Sequence, residues 1–422
     1  MNYQELYVVC QIEDFNLKLM VNNYVNNQIQ VLYKARIENE QFAENGVIIN
    51  PIATGNSLRK MLDKINKTLN INVQRIVLSL PSNNLKIYQS QAMMDFKDDN
   101  HIITNADCSK VIDMAKNIII DSTEVVCLTK PYSFKVNNER SSEQLPIGLK
   151  GQVLNVDALV YSLPKTLYSS QLEVFKNAQV DLLTVTLDQF ALACNINNNN
   201  NIVLIDWNLN STKISVFNNS VLYATTNIKI GWNQIIQALM KQMHCGYDKA
   251  EKYLQKIINI NSNYLCDIVV DKHLNEHKQE ICLTKSDLQT TVQNQINEII
   301  TCIEYFLDEV SNNNSREMEV ICTGITVGLA GFANYFKNHS KLATIKYMLN
   351  QNLGAYSYNW TSLIGVTHYQ HLVNVFNNNM ISSINTLPIL PKANHHRLPQ
   401  NNETKKYNSP NFSSYQYNGN SK

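Results

Sequence analysis

Ile202-Val203-Leu204-Ile205-Asp206-Trp207-Asn208-Leu209-Asn210-Ser211-Thr212-Lys213-Ile214-Ser215-Val216 is the stretch whose reading decides the fold. An apolar run ends in a carboxylate, a polar turn follows, and alternation resumes. An unbroken apolar run fits a strand buried on both faces, and a period of two fits a strand buried on one. A hairpin of this kind, closed by an acid, is how nucleotide-binding folds present a turn to phosphate. Glycine usually occupies such a turn. It reaches left-handed backbone angles and leaves no Cβ between phosphate and amides. Here Asn208, Leu209 and Asn210 stand in its place. Asparagine tolerates the left-handed region; leucine does not, and it adds bulk.

The same pattern opens the chain. Leu6 to Ile12 reads as a strand. After Glu13-Asp14, Phe15, Leu17, Leu19 and Val21 alternate with polar residues, and Gln28 to Ala35 supplies a third strand. Ser57 then heads a helix with Leu58, Met61, Leu62, Ile65 and Leu69 on one face, and Val73 to Leu80 is a buried-type strand stopped at Pro81. The second half repeats this order. Ile202 to Ile205 corresponds to Leu6 to Cys10, and Lys213 to Phe217 with Ser220 to Thr226 completes the meander. A helix carrying Ile235, Ile236, Leu239 and Met243 follows, and Val320 to Cys322 forms a strand running into Thr323-Gly324.

Two inserts interrupt the repeat. In 82–162, Thr104-Asn105-Ala106-Asp107 reads as a capping box heading a helix with Val111, Ile112 and Ala115. Val125 to Leu128 and Val153 to Tyr161 read as strands. A helix near residue 170, the strand Leu182 to Val185 and a further helix then resume the first half. In the second half, 245–285 is less regular, and Leu288 to Val310 puts Val292, Ile296, Ile299, Ile303, Phe306 and Leu307 on one helical stripe. The expected fold class is α/β, built from duplicated domains around a central cleft, where ligands of such sheets bind.

Composition narrows the function classes. A chain of 422 residues exceeds one core. Lys plus Arg number 36 against 35 for Asp plus Glu, and a net charge of +1 provides no field to gather nucleic acid. Nine scattered cysteines without a CxxC pair fit free thiols in a reducing cytoplasm. Met1 to Glu5 lack the basic and apolar regions of a secretory signal. The most apolar stretch, Val320 to Phe336, is broken by Gly324, Gly328 and Gly331 and is short for a membrane span. Asparagine runs at 197–201, 312–314 and 377–379 mark turns, or reflect genomic base bias without function. The tail after Pro391, poor in aliphatics, reads as flexible.

Asp206 carries two readings. Beside a turn of backbone amides it can orient a hydrated Mg²⁺ against phosphates; alternatively it accepts amide hydrogen bonds from Asn208 or Leu209. Ser211 and Thr212 offer hydroxyls to a phosphate. Thr323, Gly324 and Ile325 open a strand-to-helix turn that either lets a base or ribose lie on backbone or serves tight packing, and Gly231 marks a similar close-approach turn. In the first hairpin Gln11 stands where a metal-facing acid would help, and Glu13 and Asp14 put negative charge where phosphate would sit. The histidines form no ligand set. HExxH, Walker A, GxGxxG and GxSxG patterns are missing from the sequence.

These segments resemble FtsA, a bacterial cell-division family of the actin superfamily, over roughly residues 5 to 370. Asp206-Trp207-Asn208-Leu209-Asn210-Ser211 aligns with the second phosphate motif Asp-Ile-Gly-Gly-Gly-Thr, and Gln11-Ile12-Glu13-Asp14 with the first, acid-Ile-Gly-Thr. Thr323-Gly324-Ile325 through Gly331 aligns with the adenosine motif. Pro146-Ile147-Gly148-Leu149-Lys150-Gly151 is similar to Pro-Val-Gly-Leu-Ser-Gly of the FtsA-specific subdomain. Asn50-Pro51, Ile228 to Gly231 and the closing segment Trp360 to Gly365 match further family segments.

The resemblance implies an actin-like (ribonuclease H-like) fold with a 1C insertion. Subdomain 1A takes 1–81 and 163–198, 1C takes 82–162, 2A takes 199–244 and 316–385, and 2B takes 245–315, before a tail at 386–422. It implies ATP with Mg²⁺, weakened by the glycine losses. The residues facing this cofactor would be Asp206, Asn208, Asn210, Ser211, Thr212, Gly231, Thr323, Gly324 and Ile325, with Asp206 facing the metal. It implies FtsZ as partner, self-association into dimers or filaments, and a cytoplasmic place at the inner face of the membrane at the division site. Tyr407 to Lys422 lack the long apolar face of a membrane-lying helix, which leaves tethering open. The alternatives are an active ATPase or kinase on the same fold, and a PilM-like cytoplasmic adaptor of a pilus apparatus.

Overall fold

Every residue of Leu6–Ile12 is buried, and so is every residue of Ile202–Trp207. Each strand is the centre of a five-stranded sheet, which explains why both read as unbroken apolar runs. In the first sheet the order is Asp181–Leu187, Arg75–Leu80, Leu6–Ile12, Asn16–Val25, Gln28–Glu38. In the second it is Val221–Ile228, Thr212–Asn218, Ile202–Trp207, Glu319–Thr323, Thr344–Tyr347. By position in each half the two orders are the same, with a meander on one side of the central strand and parallel strands on the other. This computed structural model describes residues 5–38, 41–98, 100–137, 139, 141–196, 201–263, 267–274, 280–311, 318–377 and 379–384. The tail at 386–422, the asparagines at 312–314, Cys266 and most of the 197–201 run lie outside these.

Helix Pro51–Leu69 covers the first sheet with Leu58, Met61, Leu62 and Ile65. It begins six residues before Ser57, the start expected from periodicity. Asn50 is the cap, its side chain accepting from the Ala53 amide, and Pro51 fits the first turn, where an amide is not needed. At its start only Thr54 and Gly55 are buried and Ile52 and Ala53 are exposed, so an apolar pattern carries no sign of it.

The lobe within 82–162 is a three-stranded antiparallel sheet, Lys86–Asp95, Val153–Pro164 and Glu124–Val136, with helix Asn105–Ala115 packed on it through Cys108, Val111 and Ala115. The Thr104–Asp107 capping box is present. Lys86–Asp95 was not legible as a strand, because it lies at the edge and its one buried residue is Ser90, whose hydroxyl donates to the Ala115 carbonyl. In the second half, 27 residues of Lys285–Ser311 form one helix, and the hairpin Val269–Leu274 with Glu280–Thr284 stands where the sequence reads as irregular.

The closing helix Thr361–Phe376 returns to the first half. Trp360, Leu363, Ile364 and Val366 pack on Tyr7, Val9, Met20 and Val77. Asn22 Nδ2 donates to Thr367 Oγ1 at 2.6 Å, and Asn374 Nδ2 to the Tyr7 hydroxyl at 2.8 Å. Gly365 permits the approach to helix Asp188–Ala193: a Cβ there would sit 1.7 Å from the Ala191 carbonyl oxygen. No described helix is long and apolar enough to cross a membrane.

Candidate functional site: the cleft between the halves

The hairpin registers set the geometry. Gln11 pairs with Lys18 across the first hairpin, and Asp206 with Lys213 across the second. The two bends face one crevice, lined by Gln11, Glu13, Lys18, Asp188, Asp206, Asn208 and Thr323, and by Tyr358, Asn359 and Ser362 from the segment that opens the closing helix. Its volume is about 20 Å³. A water molecule needs roughly 10–15 Å³ on that scale, and a ligand pocket typically has roughly 300–1,000 Å³.

Both lysines are buried and both are neutralised. Lys18 Nζ lies 2.7 Å from Glu13 Oε2 within its own hairpin. Lys213 Nζ crosses the cleft to Asp188 Oδ2 at 2.5 Å and reaches the Ser82 hydroxyl at 3.4 Å. Asp188 Oδ1 also accepts the amides of Ser82 (3.2 Å) and Gln189 (2.8 Å). One step further along the same strand face, the Ser215 hydroxyl donates to Gln189 Oε1 at 2.9 Å. The Asp206 carboxyl is pushed up to about 7, chiefly by burial and secondly by the Asp188 charge, with Lys213 opposing.

The predicted residues divide between cleft and packing. Asp206, Asn208 and Thr323 line the cavity. Asp206 accepts from the Asn208 side chain at 2.5 Å; the Asn208 amide goes to the Ser211 carbonyl instead. Asn210 turns outward and accepts from Asn233 Nδ2 at 2.7 Å. Thr212 is fully buried and donates to the Ile230 carbonyl at 2.9 Å. Gly231 is pressed on the hairpin turn: a Cβ would lie 2.5 Å from the Ser211 nitrogen and 2.6 Å from the Asn208 oxygen. Gly324, at φ +101°, lies on Trp207, where a Cβ would meet the carbonyl oxygen at 2.3 Å. Ile325 begins the short helix behind it. Of the two acids expected in the path of phosphate, Glu13 lines the cavity. Asp14 turns away and accepts the Gly46 amide at 3.0 Å.

The amides that would hold an anion are also spent. Trp232 and Asn233, opening helix Trp232–Met243, donate to the carbonyls of Asn208 (3.0 Å) and Leu209 (2.7 Å), and the Gly231 amide goes to Gln234 Oε1 (2.8 Å). A helix N-terminus attracts anions only while its donors are unmet. As arranged, the cleft residues do not fit a nucleoside triphosphate with Mg²⁺. Among the described residues no group of three or more His, Cys, Asp or Glu is placed to hold a metal ion.

Sequence reasoning passed over Lys18, Lys213, Asp188, Gln189 and Ser215. A signal for two of them existed. A lysine recurs at the same register of both hairpins, flanked by residues that bury.

Comparison with known proteins places the inserted lobe. Residues 82–162 match the SHS2 domain inserted in FTSA. The chain is 22% identical over 261 residues to the cell division protein FtsA of Bacillus subtilis, covering 61% of this chain and 59% of that protein. It is 20% identical over 240 residues to FtsA of Streptococcus pneumoniae, covering 56% and 52%. The chain is similar to FtsA proteins and carries the domain inserted in them. It thus spans little more than half the length of these curated relatives. Among solved structures, it is similar to a PilM–PilN type IV pilus biogenesis complex (TM-score 0.59, 11% identity, covering 86% of this chain and 97% of that one). It is also similar to MreB5 of Spiroplasma citri bound to AMPPNP (TM-score 0.53, 10% identity, 89% and 99%). Those likenesses establish the actin-like fold, and the lobe at 82–162 is the feature it shares with FtsA.

Proposed function

We propose that this FtsA-like chain is a division scaffold that binds FtsZ, associates with its own copies into dimers or filaments, and engages ATP weakly at most. It works in the cytoplasm at the inner face of the membrane at the division site. One observation carries the reading. The FtsA-type lobe keeps its own core of Ile103, Cys108, Val111, Phe134, Leu154 and Val156, while both lysines of the cleft are committed to carboxylates, Lys18 to Glu13 and Lys213 to Asp188. An active ATPase or kinase on this fold needs a carboxylate free to orient water or take a proton. Asp188 instead accepts from Lys213, Ser82 and Gln189, and Asp206 accepts from the Asn208 side chain.

Co-sedimentation of the full chain with FtsZ polymers, with and without ATP and Mg²⁺, tests the proposal. The expected result is equal pelleting in both conditions with no phosphate release above FtsZ's own, which GTP-free controls separate. Failure to pellet with FtsZ overturns the scaffold reading. Saturable ATP-dependent phosphate release by the chain alone favours the enzyme.

A further inference from the structure

We propose that the Lys213–Asp188 pair is a permanent clamp between the halves, standing where a bound nucleotide would bridge them, so that folding and stability of this chain are indifferent to ATP and Mg²⁺. The inference rests on the cleft alone and holds whether or not FtsZ is the partner.

The clamp is built from both halves. Lys213 projects from the second strand of the second sheet, and Asp188 follows the last strand of the first sheet. Their side chains are each 8% exposed, at 2.5 Å. The remaining oxygen of Asp188 accepts two backbone amides, so the carboxylate is satisfied on both sides. A buried ion pair is tolerable only with such full satisfaction. Ser215 and Gln189 add a neutral hydrogen bond between the same two strand ends. A phosphate entering here would have to displace Asp188 from Lys213 or Glu13 from Lys18, because the cavity itself holds about 20 Å³.

The backbone closes the other approaches. Gly231 and Gly324 sit where a phosphate turn and an adenosine turn would need open space, yet each is filled by hairpin backbone within 3 Å of where its Cβ would be. The donors at the start of helix Trp232–Met243 end on Asn208 and Leu209 carbonyls. Gln11 Oε1 and Ser362 Oγ, both buried and unpartnered among protein atoms, line this cavity, which is a space of water size.

Two measurements on the full chain decide the matter. The first is titration calorimetry and a thermal melt with ATP and Mg²⁺ at millimolar concentration. A ligand that binds only the folded chain raises its melting temperature. The expected result is no saturable heat and an unmoved melt; a saturable isotherm with a raised melting temperature overturns the proposal. The second is a double-mutant cycle of Lys213→Met and Asp188→Leu. Each single variant strands a buried charge, so each is expected to melt lower than the double variant. Additive losses overturn the clamp. If a single variant does not fold, native-state hydrogen exchange on the unaltered chain replaces the cycle. Amides of 188–192 and 212–216 are then expected to open together at the slowest rate in the cleft, and independent opening of the two segments overturns the clamp.

Discussion

Replacing Gly324 by alanine separates the two uses of a glycine at the end of a strand. If its bare backbone faces a ligand, alanine leaves the fold intact and weakens binding. If it serves packing, alanine costs stability. The structure puts Gly324 at φ +101°, outside the range of L side chains, and puts its missing Cβ 2.3 Å from the Trp207 carbonyl oxygen, 2.6 Å from its carbon and 2.7 Å from its nitrogen. All three atoms are backbone of the central strand, itself paired on both edges, so the neighbour has little freedom to yield. Backbone strain contributes about 1–3 kcal/mol, and overpacking adds about 1–3 kcal/mol. The expected loss for Gly324→Ala is therefore about 2–6 kcal/mol. At roughly 2–4 °C per kcal/mol for a unit of this size, the melting temperature falls by at least ~4 °C. Tryptophan fluorescence reads the transition, since Trp207 and Trp232 both belong to the core that Gly324 closes, Trp207 standing edge-on to Phe332 and Phe336. A fall smaller than about 1 °C would refute the packing argument.

The carboxyl of Asp206 gives a pH signature. Its folded value of about 7 exceeds the ordinary 3.8, so the folded chain binds the proton more tightly than the unfolded chain. Stability contributed by this group is thus present in acid and lost as pH rises from about 4 to 7. Asp206→Asn is expected to gain stability relative to the parent across that window, by up to roughly 4 kcal/mol, and a pH-independent difference in urea midpoints counts against this. Asn50→Ala removes the cap on Ala53 and should cost about 1 kcal/mol, with faster hydrogen exchange confined to the first turn of Pro51–Leu69. Tyr161→Phe deletes the 2.9 Å bond from the inserted lobe's central strand to the Leu222 carbonyl; about 1–3 kcal/mol should be lost in a denaturant titration, since the carbonyl stays buried.

The gap between sequence and structure follows from how far apart in the chain the partners lie. The Thr104–Asp107 box was legible because its four residues satisfy one another locally. The two central strands were legible because burial on both faces leaves an unbroken apolar run. Lys86–Asp95 was not, since an edge strand turns polar residues both ways. Asp206 was found by its place at a strand end, but its bonding partner, the Asn208 side chain, depends on the turn's conformation.

Local chemistry alone decided the duplicated order of strands and helices, the position of the insert and the absence of glycine from the hairpin turns, because periodicity and backbone tolerance are properties of neighbouring residues. Only the tertiary structure decided what fills the cleft. Lys213 meets Asp188, Gly324 lies on Trp207, and Gly365 lies on Ala191, because two separately formed halves are pressed together. A buried charge or a bare backbone needs a partner, and the sequence states the need without saying whether a ligand or the chain itself will meet it.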